Sequence, residues 1–318
     1  MPLLRRIITL LLILIGFLVA FLTGVALFFT RMLVRPPRQP LWETPDEYGL
    51  PYEDVQFPAR DGLRLSGWFI PRDPLVQGDE FTTIVIVHGW PWNRLGTLAK
   101  NLFVDLPGAS PVRFLPLVKA LHGEGYQILM FDLRNHGQSA SFQPYTFGLK
   151  ESNDLLGALE YLAGRKDVDS NRLGVIGFSS GANTVLFSLP QTKQIKAAMV
   201  VQPTSPVVFS RRLGADLFGP ISRVLVPLIE FFYRIAGGIR FAAAEPLFST
   251  AGVGNVPVLY VQGKGDPWGS VGNVNQMAAN TPVVTDFLIV DSENRFEGYQ
   301  YVIDNPNIAA TFFSENIH

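Results

Sequence analysis

The sequence contains no cysteine. Disulfides, thiolate metal sites and a cysteine nucleophile are therefore excluded, although the compartment stays open because exported proteins need not carry disulfides. An excess of charge of one sign is missing as well: 26 basic and 27 acidic residues leave a formal net charge of −1, so no broad field favours nucleic acid or another polyanion. Histidine is scarce. His88, His122, His136 and His318 are scattered, with no HExxH or HxH spacing, and no metal site is expected. No G-x-G-x-x-G follows the first strand of the parallel set, which disfavours a dinucleotide, and no cofactor is expected. Internal repeats and low-complexity tracts are also missing.

What is present begins with an uncharged run from Ile7 to Thr30. As a helix it would span about 36 Å, enough for a bilayer core of about 30 Å. It reads as a membrane anchor. The rival reading, a cleavable signal peptide, calls for a shorter apolar region and a small-x-small cleavage site, and "ALFFTRML" offers neither. Arg5 and Arg6 on one side face Arg31, Arg35 and Arg38 on the other, so the positive-inside rule does not set the orientation. The expectation is a single-pass anchor over residues 1–35 with the folded domain on the extracytoplasmic side.

After the anchor, residues 36–51 are rich in proline, a composition that favours extended geometry and a semi-rigid spacer. The folded domain is expected over 52–318, about the size of one large α/β unit. "YEDVQFPA" and "LRLSGWFIP" read as an antiparallel pair about the turn Asp61-Gly62, and "TIVIVHG" as a fully buried strand. Helical and strand patterns then alternate as far as "RLGVIGFS" and resume with "AAMVVQP", "VPVLYVQGKGD" and "DFLIVDSEN". Such alternation predicts a mostly parallel, eight-stranded sheet with helices on both faces. An insertion at about 203–255 carries Ile221, Val224, Leu225, Leu228, Phe232 and Ile235 at helical spacing. It reads as a small helical cap packed onto the sheet, with a lid that also touches the bilayer as the alternative.

"GVIGFSSGAN" places Gly177, Ser179 and Gly181 in a G-x-S-x-G pattern between a β-branched strand and a plausible helix. That context gives the pattern its weight: a sharp strand-to-helix turn lifts a serine hydroxyl above the sheet in a backbone conformation that only flanking glycines fit around. A glycine-rich turn that merely binds phosphate is the competing reading.

These residues resemble the α/β-hydrolase family, over nearly everything from Tyr52 to Phe313. "VIVHGW" resembles the family's first oxyanion segment, "FDLRNHGQS" the turn after the following strand, "GFSSG" the nucleophile elbow and "QGKGDPW" the acid-bearing strand end. Within the family the likeness is to membrane-tethered bacterial serine hydrolases of esterase, lipase and serine-aminopeptidase type. The resemblance implies Ser179 as nucleophile, Asp266 as the acid that orients the base, and the backbone N–H groups of Trp90 and Ser180 as the oxyanion hole.

The third member is missing. The family's histidine lies after the last strand, commonly before an aromatic-glycine-tyrosine stretch like "RFEGYQY", and aligned on that stretch its place falls to Asn294. An amide neither takes a proton near neutral pH nor returns one. Losing the base of such a triad lowers turnover on the order of 10⁴–10⁶. His88 and His136, at strand C-terminal ends, are the possible substitute bases, with backbone bracing as their default role, whereas His122, expected on the surface of a helix, and His318, the last residue, are poor candidates. Trp90, Trp92 and the segment 93–114 are expected to overhang the cleft, accommodating an acyl chain or crowding its entrance. Two functions follow: a serine hydrolase of low or altered activity on a small ester, thioester or amide, or an inactive homologue that binds a ligand or protein in the same cleft. The expected partners are a membrane through residues 7–30 and a small acyl molecule, with no nucleic acid; the sequence identifies no protein partner.

Overall fold

The structure is a computed structural model and describes residues 2–72, 81–101, 105–106 and 108–318. Among these, eight strands form one sheet: β1 (Glu53–Pro58), β2 (Arg64–Ile70), β3 (Thr83–Val87), β4 (Gln127–Phe131), β5 (Leu173–Phe178), β6 (Ile195–Val201), β7 (Val258–Gly263) and β8 (Val284–Val290). Their spatial order is β1-β2-β4-β3-β5-β6-β7-β8. The first two joins are antiparallel and every later one is parallel.

The central strands are apolar at nearly every position because both faces are covered. Ile84 and Ile86 of β3 and Ile176 and Phe178 of β5 point into one core, while Val85, Val87, Leu173 and Val175 point into the other. Ten helices run from α1 (Pro2–Val34) through α2 (Leu115–Gly123), α3 (Ser152–Ala163), α4 (Ser180–Ser188), α5 (Pro206–Phe218), α6 (Ser222–Ile235), α7 (Leu247–Thr250), α8 (Val271–Asn280) and α9 (Arg295–Asp304) to α10 (Pro306–Asn316). Helices α2, α9 and α10 cover the first face, and α3, α4 and α8 the second.

Three expectations change. Residues 36–51, expected as a semi-rigid extended spacer, are packed onto the domain: Leu50 is buried, Leu41, Trp42 and Tyr48 pack on the core, and Arg38 donates to the His136 carbonyl at 3.2 Å. Apolar side chains between the prolines hold this segment down. His122, expected on a helix surface, is buried, with its Nε2 at 2.9 Å from the Pro71 carbonyl.

The third change concerns the insertion. Helix α6 packs on the end of α1 rather than on the sheet. Leu225 and Ile229 meet Ala26, which is fully buried, with Val25, Phe29, Leu33, Phe218, Leu228 and Phe232 around them. Thr30 Oγ1 donates to the Ile229 carbonyl at 3.3 Å, and the Tyr145 N–H donates to the Leu33 carbonyl at 3.3 Å. Of the expected stripe, Ile221, Val224 and Ile235 remain exposed. By length and composition α1 can cross a membrane, and its N-terminal part is bare of protein contacts.

Candidate active site

The polar groups of interest sit beyond the C-terminal ends of β3, β5, β6, β7 and β8, the edge at which open α/β sheets gather ligand sites. Ser179 follows β5 directly and has φ 55° and ψ −119°, an unusual conformation for a residue with a side chain. The strain is over-determined by its surroundings. The Ser179 N–H donates to the Val201 carbonyl at 2.9 Å, and its carbonyl accepts from Asn183 N–H at 3.2 Å as the first turn of α4 begins. A side chain on Gly177 would meet the Gly181 carbonyl oxygen at 2.6 Å, and one on Gly181 would meet the Val87 carbonyl oxygen at 2.2 Å. Both positions of the expected elbow therefore require glycine.

Asp266 lies in the turn after β7 and is buried. Its Oδ1 accepts from the N–H groups of Trp268 at 3.0 Å and Gly269 at 2.9 Å. Its Oδ2 pairs with Arg295 Nη1 and lies 3.4 Å from Gln262 Nε2.

Arg295, not Asn294, fills the space between Asp266 and Ser179. Its Nη2 donates to Ser179 Oγ at 3.1 Å and to Thr204 Oγ1 at 2.7 Å. The guanidinium lies against the rings of Phe209 and Tyr299 and is 2% exposed, which leaves it little room to swing away. Burial opposes its charge, but the Asp266 carboxylate and Tyr299 together outweigh it, and its pKa moves upward. It is a permanent cation. Asn294 is instead the N-cap of α9: its Oδ1 accepts from the N–H groups of Phe296 at 2.9 Å and Glu297 at 3.1 Å, and its Nδ2 donates to Glu297 Oε1 at 2.8 Å. The alignment picked the right loop and the wrong residue. A cap side chain folds back onto its own helix, while the next residue projects into the cleft. The signal was legible as Asn294-x-x-Glu297, a capping pattern that commits the asparagine to the helix end.

Neither candidate substitute base reaches Ser179 by a hydrogen bond. His88 is fully buried; its Nε2 accepts from Leu133 N–H at 3.0 Å, so Nδ1 carries the proton donated to the Gly89 carbonyl at 2.8 Å. His136 Nδ1 lies 2.8 Å from the Arg134 carbonyl. Burial lowers the pKa of both rings, that of His136 to about 3, and they remain neutral. They brace backbone. Among the described residues no three His, Asp or Glu side chains converge on a metal position.

Ser179, Ser180, Trp90 and Arg295 form the polar end of a cavity of about 280 Å³. Trp92 and Leu106 of the expected overhang line it too, whereas residues 102–104 and 107 of that segment lie outside the described residues. Sequence reasoning missed Arg295, Thr204 and Tyr299 as members of this site. The Tyr299 hydroxyl is buried beside Ser179 and Arg295 without a well-formed hydrogen bond, and burial raises its pKa to about 12. It also missed the far wall, where Phe28, Phe29, Met32 and Leu33 of α1 close the cavity.

The sequence model of the α/β hydrolase family matches residues 84–290, more than half of the chain. The chain belongs to the α/β hydrolase family. Among curated relatives, YfhR of Salmonella typhi is 33% identical over 134 residues, covering 42% of this chain and 39% of its own. YqkD of Bacillus subtilis is 25% identical over 224 residues, 69% of this chain and 65% of its own. The chain thus spans less than two-thirds of the length of either. Among solved structures, the esterase Pf2001 of Pyrococcus furiosus superposes with a TM-score of 0.68 at 24% identity, over 90% of this chain and 99% of that one. A puromycin hydrolase superposes with a TM-score of 0.59 at 21% identity, over 84% of this chain and 39% of that one. At those identities the likeness is one of fold, and the eight-stranded sheet is that of an α/β hydrolase.

Proposed function

We propose that this chain is a membrane-anchored α/β hydrolase homologue whose cleft binds an acyl ligand and whose Ser179 is held rather than activated. The bond from Arg295 to Ser179 Oγ carries the reading. In a working triad the group at this place accepts the hydroxyl proton as the oxygen attacks. A guanidinium cannot, because it is already protonated and stays so across the physiological range. It donates to the lone pair that would have to attack, so the serine keeps its proton and ester turnover is lower by about 10⁶. The acyl-enzyme of an ordinary esterase would not accumulate. The same arrangement favours binding: Arg295, Ser180, Trp90 and Tyr299 line the polar end of an otherwise apolar cavity, and Ser180 Oγ, Trp90 Nε1 and the Tyr299 hydroxyl are buried there without a hydrogen-bond partner, which suits a carbonyl or carboxylate oxygen.

A second reading has one observation in its favour. The elbow is intact, with Ser179 still in its strained conformation, which supports slow Ser179-dependent hydrolysis. Reaction with a fluorophosphonate separates the two. Unaltered protein is expected to label no faster than Ser179→Ala. Arg295→His, which returns a base to Asp266 and Ser179, is expected to label at least about 10²-fold faster. Asn294→His should gain nothing, because that side chain faces α9. Strong Ser179-dependent labelling and turnover in the unaltered protein would reverse the assignment.

A further inference from the structure

The cavity behind Ser179 has an unusual wall. Phe28, Phe29, Met32 and Leu33 come from the last two turns of α1. If the uncharged run starting at Ile7 enters a bilayer, a core of about 30 Å takes up about 20 residues at 1.5 Å each, which brings Phe28 to the membrane boundary. The α1 wall of the active-site cavity then lies at the level of the lipid headgroups.

Two further features lie on the same side. A groove lined by Phe21, Gly24, Val25, Phe28, Phe29 and Phe218 runs along α1 and shares Phe28, Phe29 and Phe218 with the cavity. The groove and the serine cavity therefore adjoin along Phe28, Phe29 and Phe218. The cap next to α1 also exposes large apolar side chains: Leu217 at the end of α5, Ile221 just before α6, and Val224, Phe231 and Ile235 along α6. So many exposed apolar side chains beside an anchor helix suit burial in acyl chains and headgroups.

We propose that the cleft takes a long acyl chain laterally from the bilayer, along the groove between α1 and Phe218, with the carboxyl end of that chain at Ser179 and Arg295. The occupant is a single-chain acyl lipid. Its tail matches the aromatic and aliphatic walls, and its one polar end matches the polar groups beside Ser179 and Arg295. This rests on the acyl-binding reading of the site given above and names both the substrate class and its route.

The test uses the full chain in phosphatidylcholine nanodiscs with two photoreactive probes. One is a C16 fatty acyl glycerol carrying a diazirine in its tail, confined to the bilayer; the other is a water-soluble C4 acyl diazirine. Gly24→Phe fills the groove at a position where an added Cβ meets nothing within 4 Å, and an unchanged melting temperature checks that the fold is preserved. The bilayer probe is expected to crosslink to peptides containing Met32 or Leu33 and Phe209 or Leu213, and Gly24→Phe is expected to lower that yield at least fivefold without changing C4 labelling. Crosslinks confined to Phe17–Phe21, or a yield unaffected by Gly24→Phe, overturn the lateral route; C4 labelling then leaves the site reading standing. Absence of labelling by both probes overturns the route and the site reading together.

Discussion

At the residue scale the molecule turns on Arg295. Its ion pair with Asp266 is buried, with side-chain exposures of 2% and 1%. Removing one partner strands the other charge, so Arg295→Met is expected to destabilise by about 3–5 kcal/mol. Replacing both, Arg295→Met with Asp266→Leu, recovers most of that loss, and urea unfolding of the two singles and the double measures the coupling. Because the cation does not titrate, any residual fluorophosphonate reaction of the unaltered protein should be flat between pH 5 and 8. In Arg295→His the rate should rise with pH as the imidazole loses its proton. A sloping profile in the unaltered protein points to another base. This residue was hidden in the sequence for a definite reason: motif alignment finds the loop after β8, but a shift of one position decides which side chain faces α9 and which faces Ser179. Ser179, Gly177, Gly181 and Asp266 were legible because strand ends and tight turns leave their geometry little freedom.

The neutral histidines also have a consequence. An unfolded histidine titrates at its ordinary 6.5, whereas folded His136 does so only near 3. Between these values the unfolded chain binds more protons, so this contribution is intact above about 6.5 and is lost as pH falls towards 3, by about 1.4 kcal/mol per unit. His136→Gln is expected to flatten the acid side of the stability profile, as read by urea midpoints from pH 7 to 4. An unchanged slope removes His136 from the acid response.

At the element scale, strands were legible and the cap was not. The apolar runs of β3, β5 and β6 and the turn at Asp61-Gly62 follow from local pattern, and the structure has strands and a turn there. For α6 the sequence gives a stripe but no partner, since periodicity cannot say what an apolar face meets. Leu225 and Ile229 turned out to meet Ala26, a small residue that lets two helices approach closely. Ala26→Leu therefore overpacks a closed contact and is expected to cost about 1–3 kcal/mol in thermal unfolding of detergent-solubilised protein. Gly16→Leu, with open space around it, serves as the comparison and is expected to cost far less. Equal effects would mean that the α1–α6 contact contributes nothing.

At the scale of the whole molecule, α1 has two parts that its sequence presents as one. Its first part is bare and apolar, as a membrane anchor is, and its last turns are a wall of the folded domain. A cleaved leader would take that wall with it. Truncations separate the two parts. Removing residues 2–22 leaves Val25 to Leu33 in place and is expected to preserve the stability of the domain. Removing residues 2–34 uncovers Leu225 and Ile229, each contributing about 1.5–3 kcal/mol when buried, a loss of about 3–6 kcal/mol before α6 relaxes. It also leaves Phe218, Leu228 and Phe232 without α1 against them. The shorter chain should therefore melt lower, bind a hydrophobic dye and self-associate, while the longer one does none of these in matched detergent. If the two melt together, α1 is only a tether, and the cavity beside Ser179 closes without it.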